Sequence, residues 1–375
     1  MPLHCSTMLQ RVALLLLLLA SSRAFAVETM RIAMDDPGDE VRVSGRGLGF
    51  GPDAEDGTFV PIGAGQAIVR RRGGRLEING APAVGEAVRF RGGMESFDAG
   101  GPGNEPLKAG SSQVRGDVVV RLYRDSLQLI NVIPLEDYLA AVLGSEMPVS
   151  FPLEALKAQA VAARTYALQK KLDSYGAAFH MGSSVLHQVY GGVNREDAKT
   201  RAAVEATRGE VLTYDLAPIE AYFHASCGGH TESGQDALQR NLPYLKPVDC
   251  PCGKLPASRW SATLSEGELR KALKSSPDGM RVSGRTPTHR VTRVTLSDGT
   301  LVDGVQFRRK LGYTRLKSLD FDVTSSSKGY VFTGRGFGHG AGLCQWGAKA
   351  FADQGKTYRE ILSHYYPGAE FQQLY

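Results

Sequence analysis

The sequence predicts an α+β fold, with a β-rich N-terminal module ahead of a mixed α/β domain. Three observations point there. Residues 27–92 hold short β-rich pieces, MRIAM, EVRVSG, QAIVRR, RLEING and AVRFRG, punctuated by Gly, Pro and Asp. After residue 114, two alternating runs at 117–123 and 127–133 give way to apolar stripes at helical spacing. A length of 375 residues suits about two domains, and 42% hydrophobic with 22% charged residues excludes wholesale disorder. The expected division is 27–112 for the module and its linker and 113–375 for the second domain, with a small insertion at about 254–330.

The first residues read as a leader. Arg11 precedes Val12, Ala13 and the leucine run 14–19, and Ala24-Phe25-Ala26 follows. A charged start, a short apolar run and an A-x-A site form a secretory signal, cleaved after Ala26. The apolar run is shorter than the roughly 20 residues that span a bilayer. No later segment is apolar and long enough to serve. The expected location is therefore the periplasm, the cell wall or the medium. Removing Arg11 and Arg23 from the 44 basic residues leaves 42 against 39 acidic, a net charge of +3. That balance argues against a nucleic-acid partner and is compatible with a polysaccharide. Cys5 departs with the leader. Cys227, Cys250, Cys252 and Cys344 remain, in a compartment where disulfides are permitted.

Each element has its local signal. Arg70-Arg71-Arg72-Gly73-Gly74-Arg75 reads as a basic hairpin turn, and the Gly/Pro/Ser-rich 96–112 as a linker. Pro134 opens a helix that carries Leu135, Leu139, Val142 and Leu143 and ends at Gly144. Met147-Pro148 blocks its resumption, because a residue before proline avoids the α region. A second, alanine-rich helix starts near Pro152 and runs to about Lys171. In the insertion, Ser265-Glu266-Gly267-Glu268 is a capping box ahead of Leu269 and Leu273. Asp298-Gly299 marks a hairpin.

Several groups of residues could carry chemistry. Glu146, in Ser145-Glu146-Met147-Pro148, lies on the short connection between the two helices. The next helix's N-terminus would favour its ionised form, while an apolar wall from Met147 and Phe151 would raise its pKa. Both outcomes are open at this level. Lys157, Gln159 and Arg164 lie on the second helix, with Lys157 and Arg164 two turns apart and so on one face. Gln188 and Tyr190 follow in His187-Gln188-Val189-Tyr190. His224 and Ser226 are expected at a strand mouth, where Gly228-Gly229 allows close approach to the backbone.

Cys227, His230, Cys250 and Cys252 are candidate ligands of a structural zinc, matching two close pairs. A disulfide from Cys227 to Cys250 or Cys252, and free thiols, are the competing arrangements. A zinc hydrolase at His224, Cys227 and His230 is a further option. The glycine-rich run 334–348 offers His339, Gln345 and Trp346 as polar and stacking contacts for sugar rings. It lacks the G-K-[ST] of a P-loop and the βαβ setting of a dinucleotide site.

Four stretches, LEDYLAAVLGSEMPVSFPLEALKAQAVAARTYAL, HQVYGG, YFHASCGGHTES and GRGFGHGAGLCQWGAKAFADQGKTYREILSHYYPGAE, together resemble the stage II sporulation protein D family, which includes the amidase enhancers. The resemblance runs from about residue 117 to the C-terminus. It implies a catalytic domain around a central substrate cleft, and a lytic transglycosylase acting on peptidoglycan strands stripped of stem peptides. Cleavage of the MurNAc-β-1,4-GlcNAc bond would leave 1,6-anhydro-MurNAc ends and require no cofactor. By the same resemblance Glu146 is the catalytic acid. Lys157, Gln159, Arg164, Gln188, Tyr190, His224, Ser226, His339 and Gln345 fall on groove positions. A non-catalytic glycan binder that stimulates an amidase partner is the alternative. Some relatives hold zinc through Cys and His around HQVY. This chain has His180 and His187 there but no cysteine, so that zinc is not carried over.

Overall fold

The computed structural model describes residues 28–34, 36–54, 57–94, 105–183 and 188–375. The leader with its cleavage site, part of the 96–112 linker and His187 lie outside them. The fold is α+β.

Two alternating runs make the central hairpin. Asp117–Tyr123 pairs antiparallel with Ser126–Pro134, burying one apolar set that includes Val118, Val120, Leu127 and Leu129. The hairpin's two outer edges are taken by strands from the N-terminal region: Thr29–Ala33 pairs with Ser126–Pro134, and Ala87–Arg91 with Asp117–Tyr123. Seven strands form this sheet. A second sheet of six contains Glu40–Ser44, Gln66–Arg72 and Arg75–Ile78. Its Gly73-Gly74 turn has positive φ at both residues, as a tight hairpin demands. Arg70 and Arg71 there pair with Glu40 and Asp39. The expected boundary at residue 112 thus runs between strands of one sheet, and the two regions share a hydrophobic core.

The helices begin where the prolines stand. Pro134 and Pro152 each sit just before the first helical residue of α1 (Leu135–Glu146) and α2 (Leu153–Asp173). Acidic Glu136, Asp137 and Glu154 occupy the first turns, where the helix dipole favours them. Contrary to expectation, Gly144 does not end α1. It is the point where α1 crosses the turn Val193–Arg195, and any Cβ there would overlap the Arg195 carbonyl oxygen. The helix runs two residues further, to Glu146, and stops at Met147, which is extended before Pro148.

Helix α2 is enclosed along most of its length by α1, α3 (Ala198–Glu205), α7 (Gln345–Asp353), α8 (Tyr358–Tyr365) and the strand Glu210–Tyr214. Its small residues Ala155, Ala158, Ala160, Ala162, Ala163 and Ala167 are fully buried, which lets these neighbours approach closely. A short helix, α4 (Gly234–Leu238), follows the 228–233 loop.

The insertion spans 259–335 and folds around its own core. Arg259–Leu264, Gly329–Arg335 and Asp320–Ser326 form one three-stranded sheet. Arg281–Arg285, Val291–Thr295 and Leu301–Asp303 form another. Helices α5 (Glu266–Leu273) and α6 (Gly304–Leu311) complete it. Trp260, Leu269, Phe307, Phe321 and Phe332 are buried between them. At roughly 1.5–3 kcal/mol per buried large apolar side chain, that cluster accounts for a separate core. The Ser265/Glu268 capping box and the Asp298-Gly299 turn both form as expected.

Candidate functional site

Glu146 closes α1, and three segments converge on it. The carboxylate Oε1 accepts the Val189 N–H at 2.7 Å. The Gln345 side chain, at the start of α7, stabilises the same carboxylate. Gln345 also donates to Gln159 Oε1 at 3.5 Å, so Glu146, Gln345 and Gln159 form a polar chain linking α1, α7 and α2. Burial raises the Glu146 pKa above its ordinary 4.5, and the two donors pull against that rise. The apolar wall is present: Met147 and Phe151 are buried, and Phe151 packs edge-on against Trp346 at 5.0 Å.

The HQVY stretch acts through its backbone. Gln188 is fully buried, accepting the Tyr138 hydroxyl at 2.9 Å and donating to the Ala163 carbonyl at 3.0 Å. Tyr190 is buried against Tyr138, and its hydroxyl donates to Asn131 at 2.7 Å. Together they fix the chain so that the intervening Val189 N–H meets Glu146. Neither side chain is open to a glycan, which corrects their expected placement in a groove.

His224 and His339 make a second cluster. The parallel strands Phe223–His224 and Leu343–Cys344 pair His224 with Cys344, one residue before Gln345. His339 Nδ1 accepts the Ala341 N–H and its Nε2 donates to the Phe223 carbonyl, so the ring is neutral with a set tautomer. His224 Nδ1 lies 3.1 Å from the Ala341 carbonyl. Its buried Nε2 has no hydrogen-bond partner, and neither does Gln159 Nε2. Burial lowers the His339 pKa to about 4. Burial, with His339 and Arg290 nearby, holds His224 well below the ordinary 6.5. Gly338, at φ +119°, lets the glycine-rich loop close directly onto the His224 side chain. Ser226 is buried, with its hydroxyl 2.8 Å from that of Ser258.

Two expected groove residues lie elsewhere. Arg164 is fully buried and forms a two-pronged pair with Glu136, at 2.9 and 2.6 Å. It also donates to the Glu210 carbonyl at 3.1 Å. It has no surface to offer a glycan. Lys157 pairs with Glu154 at 2.8 Å and lies over the Tyr358 ring. The two-turn spacing puts both residues on one side of α2, but that side is covered by other elements, not by solvent.

The cysteine set is corrected as well. Cys227, Cys250, Cys252 and Cys344 are buried with all four sulfurs within 4.8 Å of one another, a group that could hold a metal. His230 is not among them: it is exposed and pairs with Asp249 at 2.9 Å. The fourth donor, Cys344, is 92 residues beyond Cys252, too far for any spacing motif to bring in. The group that could hold a metal contains neither His224 nor His230, so the His224, Cys227 and His230 set of a zinc hydrolase is not brought together as such a group among the described residues. Around HQVY, His180 Nδ1 accepts the Arg31 N–H, and the stretch offers no thiol for the zinc of some relatives.

A family model described as stage II sporulation protein matches residues 123–214, which hold α1, α2, Glu146 and Val189. Stage II sporulation protein D of Bacillus subtilis is 34% identical, over 72% of this chain and 83% of its own length. The chain belongs to the stage II sporulation protein D family. Other members are similar over long stretches. An uncharacterised protein of Brachyspira hyodysenteriae is 35% identical over 68% of this chain and 71% of its own. The amidase enhancer of Bacillus subtilis is 32% identical over 61% of this chain but only 39% of its own length. Within the family-model segment lie both the carboxyl and the amide that bonds it; Gln345 and the histidine pair come from beyond it.

Proposed function

We propose that this protein is an exported lytic transglycosylase of peptidoglycan, acting in wall remodelling, division or sporulation. It cleaves the MurNAc-β-1,4-GlcNAc bond of peptide-stripped strands and leaves 1,6-anhydro-MurNAc ends. The observation that carries this reading is Glu146, a carboxyl whose pKa burial raises above its ordinary value and which is held in place by Val189 and Gln345.

The groups bonded to Glu146 are amides, whereas an ordinary glycosidase pairs two carboxylates. One carboxyl suffices if the substrate supplies the nucleophile. Glu146 gives its proton to the glycosidic oxygen as the C1–O bond breaks. The resulting carboxylate takes the proton of the muramic C6 hydroxyl, whose oxygen bonds to C1. The acid is regenerated and no water is consumed. Gln345 and Gln159 hold the carboxyl's orientation. Export through the 1–26 leader brings the enzyme to its polymer, and an amidase that strips stem peptides is its natural partner.

The test is a digest of amidase-treated glycan followed by mass spectrometry. Wild type should release anhydro-muropeptides, and Glu146→Gln should lose roughly 10²–10⁴-fold activity while keeping its fold. Undiminished product from Glu146→Gln would remove that residue from the role. The second reading, a non-catalytic glycan binder that enhances an amidase, is favoured by the relative named amidase enhancer. Intact strands with tight binding in the same experiment would select it.

A further inference from the structure

Three chain segments deliver four cysteines to a single point: Cys227 from one, Cys250 and Cys252 from a second, and Cys344 from a third. Cys227 follows the strand Phe223–His224, Cys250 precedes the turn Pro251–Lys254, Cys252 lies in it, and Cys344 caps the N-terminus of α7. All four are buried, and their sulfurs lie within 4.8 Å of one another, with Cys227 and Cys252 at 3.4 Å. A tetrahedron of zinc–sulfur bonds of about 2.3 Å has sulfur–sulfur edges of about 3.8 Å. The span therefore matches one ion and is too small to wrap a multi-iron cluster. A disulfide would instead draw two sulfurs to about 2.05 Å and single out pairs, whereas here the four converge as a group.

The surroundings are those of thiolates. The Cys227 and Gly347 N–H groups both donate to Cys344 Sγ, at 3.3 Å each. The Ser226 hydroxyl donates to Cys252 Sγ at 3.6 Å, and the Tyr365 hydroxyl lies 3.1 Å from Cys250 Sγ. A thiol sulfur is a weak acceptor, so several donors aimed at sulfurs fit the charged form that binds metal. Arg290, ion-paired with the buried Glu232 at 3.7 Å, holds the loop by donating to the Cys227 and His230 carbonyls at 2.9 Å. Close packing is built in. Gly228 and Gly229 turn the chain at positive φ, the Cys250 N–H closes that turn onto the Gly229 carbonyl, and any side chain at Gly347 would overlap Cys250 and Tyr365.

We propose that Cys227, Cys250, Cys252 and Cys344 bind one zinc ion in a closed, four-sulfur structural site. Binding converts the thiols to thiolates and releases their protons to solvent. The ion ties the mouth of the two parallel strands to the 250–254 turn and to the start of α7. Ser226 and Gln345, the immediate neighbours of Cys227 and Cys344, are held with it. The site is separate from Glu146 and does not depend on the reaction assigned to that residue.

The full chain, purified without chelator, tests this by elemental analysis, thiol titration in denaturant with EDTA, and intact mass. About one zinc per chain and five titratable thiols, or four once the leader with Cys5 is removed, are expected, in wild type and in Glu146→Gln alike. Exchange of cobalt(II) for zinc should produce the intense thiolate-to-cobalt absorption and the visible bands of a tetrahedral ion. Cys252→Ser should lower zinc occupancy at least tenfold. If that variant does not fold, the wild-type stoichiometry and the cobalt spectrum still decide. Metal-free protein from zinc-supplemented growth, bridged cysteines with the corresponding loss of hydrogen mass, or stoichiometric iron would each overturn the proposal.

Discussion

Glu146 is held between opposing influences. Burial pushes its pKa up, while the Val189 N–H and the Gln345 amide stabilise the carboxylate and restrain the rise. An acid catalyst is active while protonated, so activity should fall as pH rises through this elevated pKa. Gln345→Ala removes one restraint. The basic limb of the pH–rate profile should therefore move to higher pH while the rate at the optimum drops, since orientation is lost. An unchanged limb would mean that Gln345 does not touch the carboxyl in solution. By the same sign, the protonated form's contribution to stability is lost as pH rises through that pKa.

Helix α2 shows how an element's burial overrules its spacing. Lys157 and Arg164 stand two turns apart, which on a surface helix would make a solvated cationic stripe. Here α3 and the strand Glu210–Tyr214 cover the Arg164 end, and Glu136 on α1 neutralises it. Removing one partner of such a pair leaves an uncompensated buried charge, at a cost of about 3–5 kcal/mol. Arg164→Ala should therefore lower the unfolding free energy by about that amount, read as a sharply lower urea midpoint at unchanged slope. A variant of normal stability but weakened glycan binding would return Arg164 to the substrate groove.

At the scale of the molecule, the central hairpin needs the N-terminal strands. A chain cut to 113–375 would expose both edges of the Asp117–Tyr123/Ser126–Pro134 pair, which Thr29–Ala33 and Ala87–Arg91 cover. It should aggregate or unfold without cooperativity; a sharp, reversible melt of that fragment would show the two regions to be independent. Acid should also loosen the whole fold. His180 and His339 have pKa values lowered to about 4, chiefly by burial, and His224 lies lower than its ordinary value too. The fold thus favours the neutral rings. Their contribution is complete above about pH 6.5 and is lost as pH falls toward 4, so the melting temperature should drop across that window. No helix of the described residues is long and apolar enough to cross a membrane.

Local chemistry made much of this protein legible in one dimension. Prolines at 134 and 152, the Ser265/Glu268 box and the Asp298-Gly299 turn act within a few residues, so their elements appear where the chain alone places them. The position of Glu146 at a junction between two helices was equally visible, whereas its role came only as what the family resemblance implies. What folding alone decided are relations between distant segments. Gly144 stays helical because the Val193–Arg195 turn crosses it. Arg164 is silenced by Glu136, 28 residues away. Val189 serves through a backbone N–H that no side-chain pattern encodes. Cys344 displaces His230 from the sulfur cluster because parallel strands bring it beside Cys227. Propensity and capping are short-range forces, whereas burial and electrostatic pairing depend on which surfaces meet, and only the packed chain sets that.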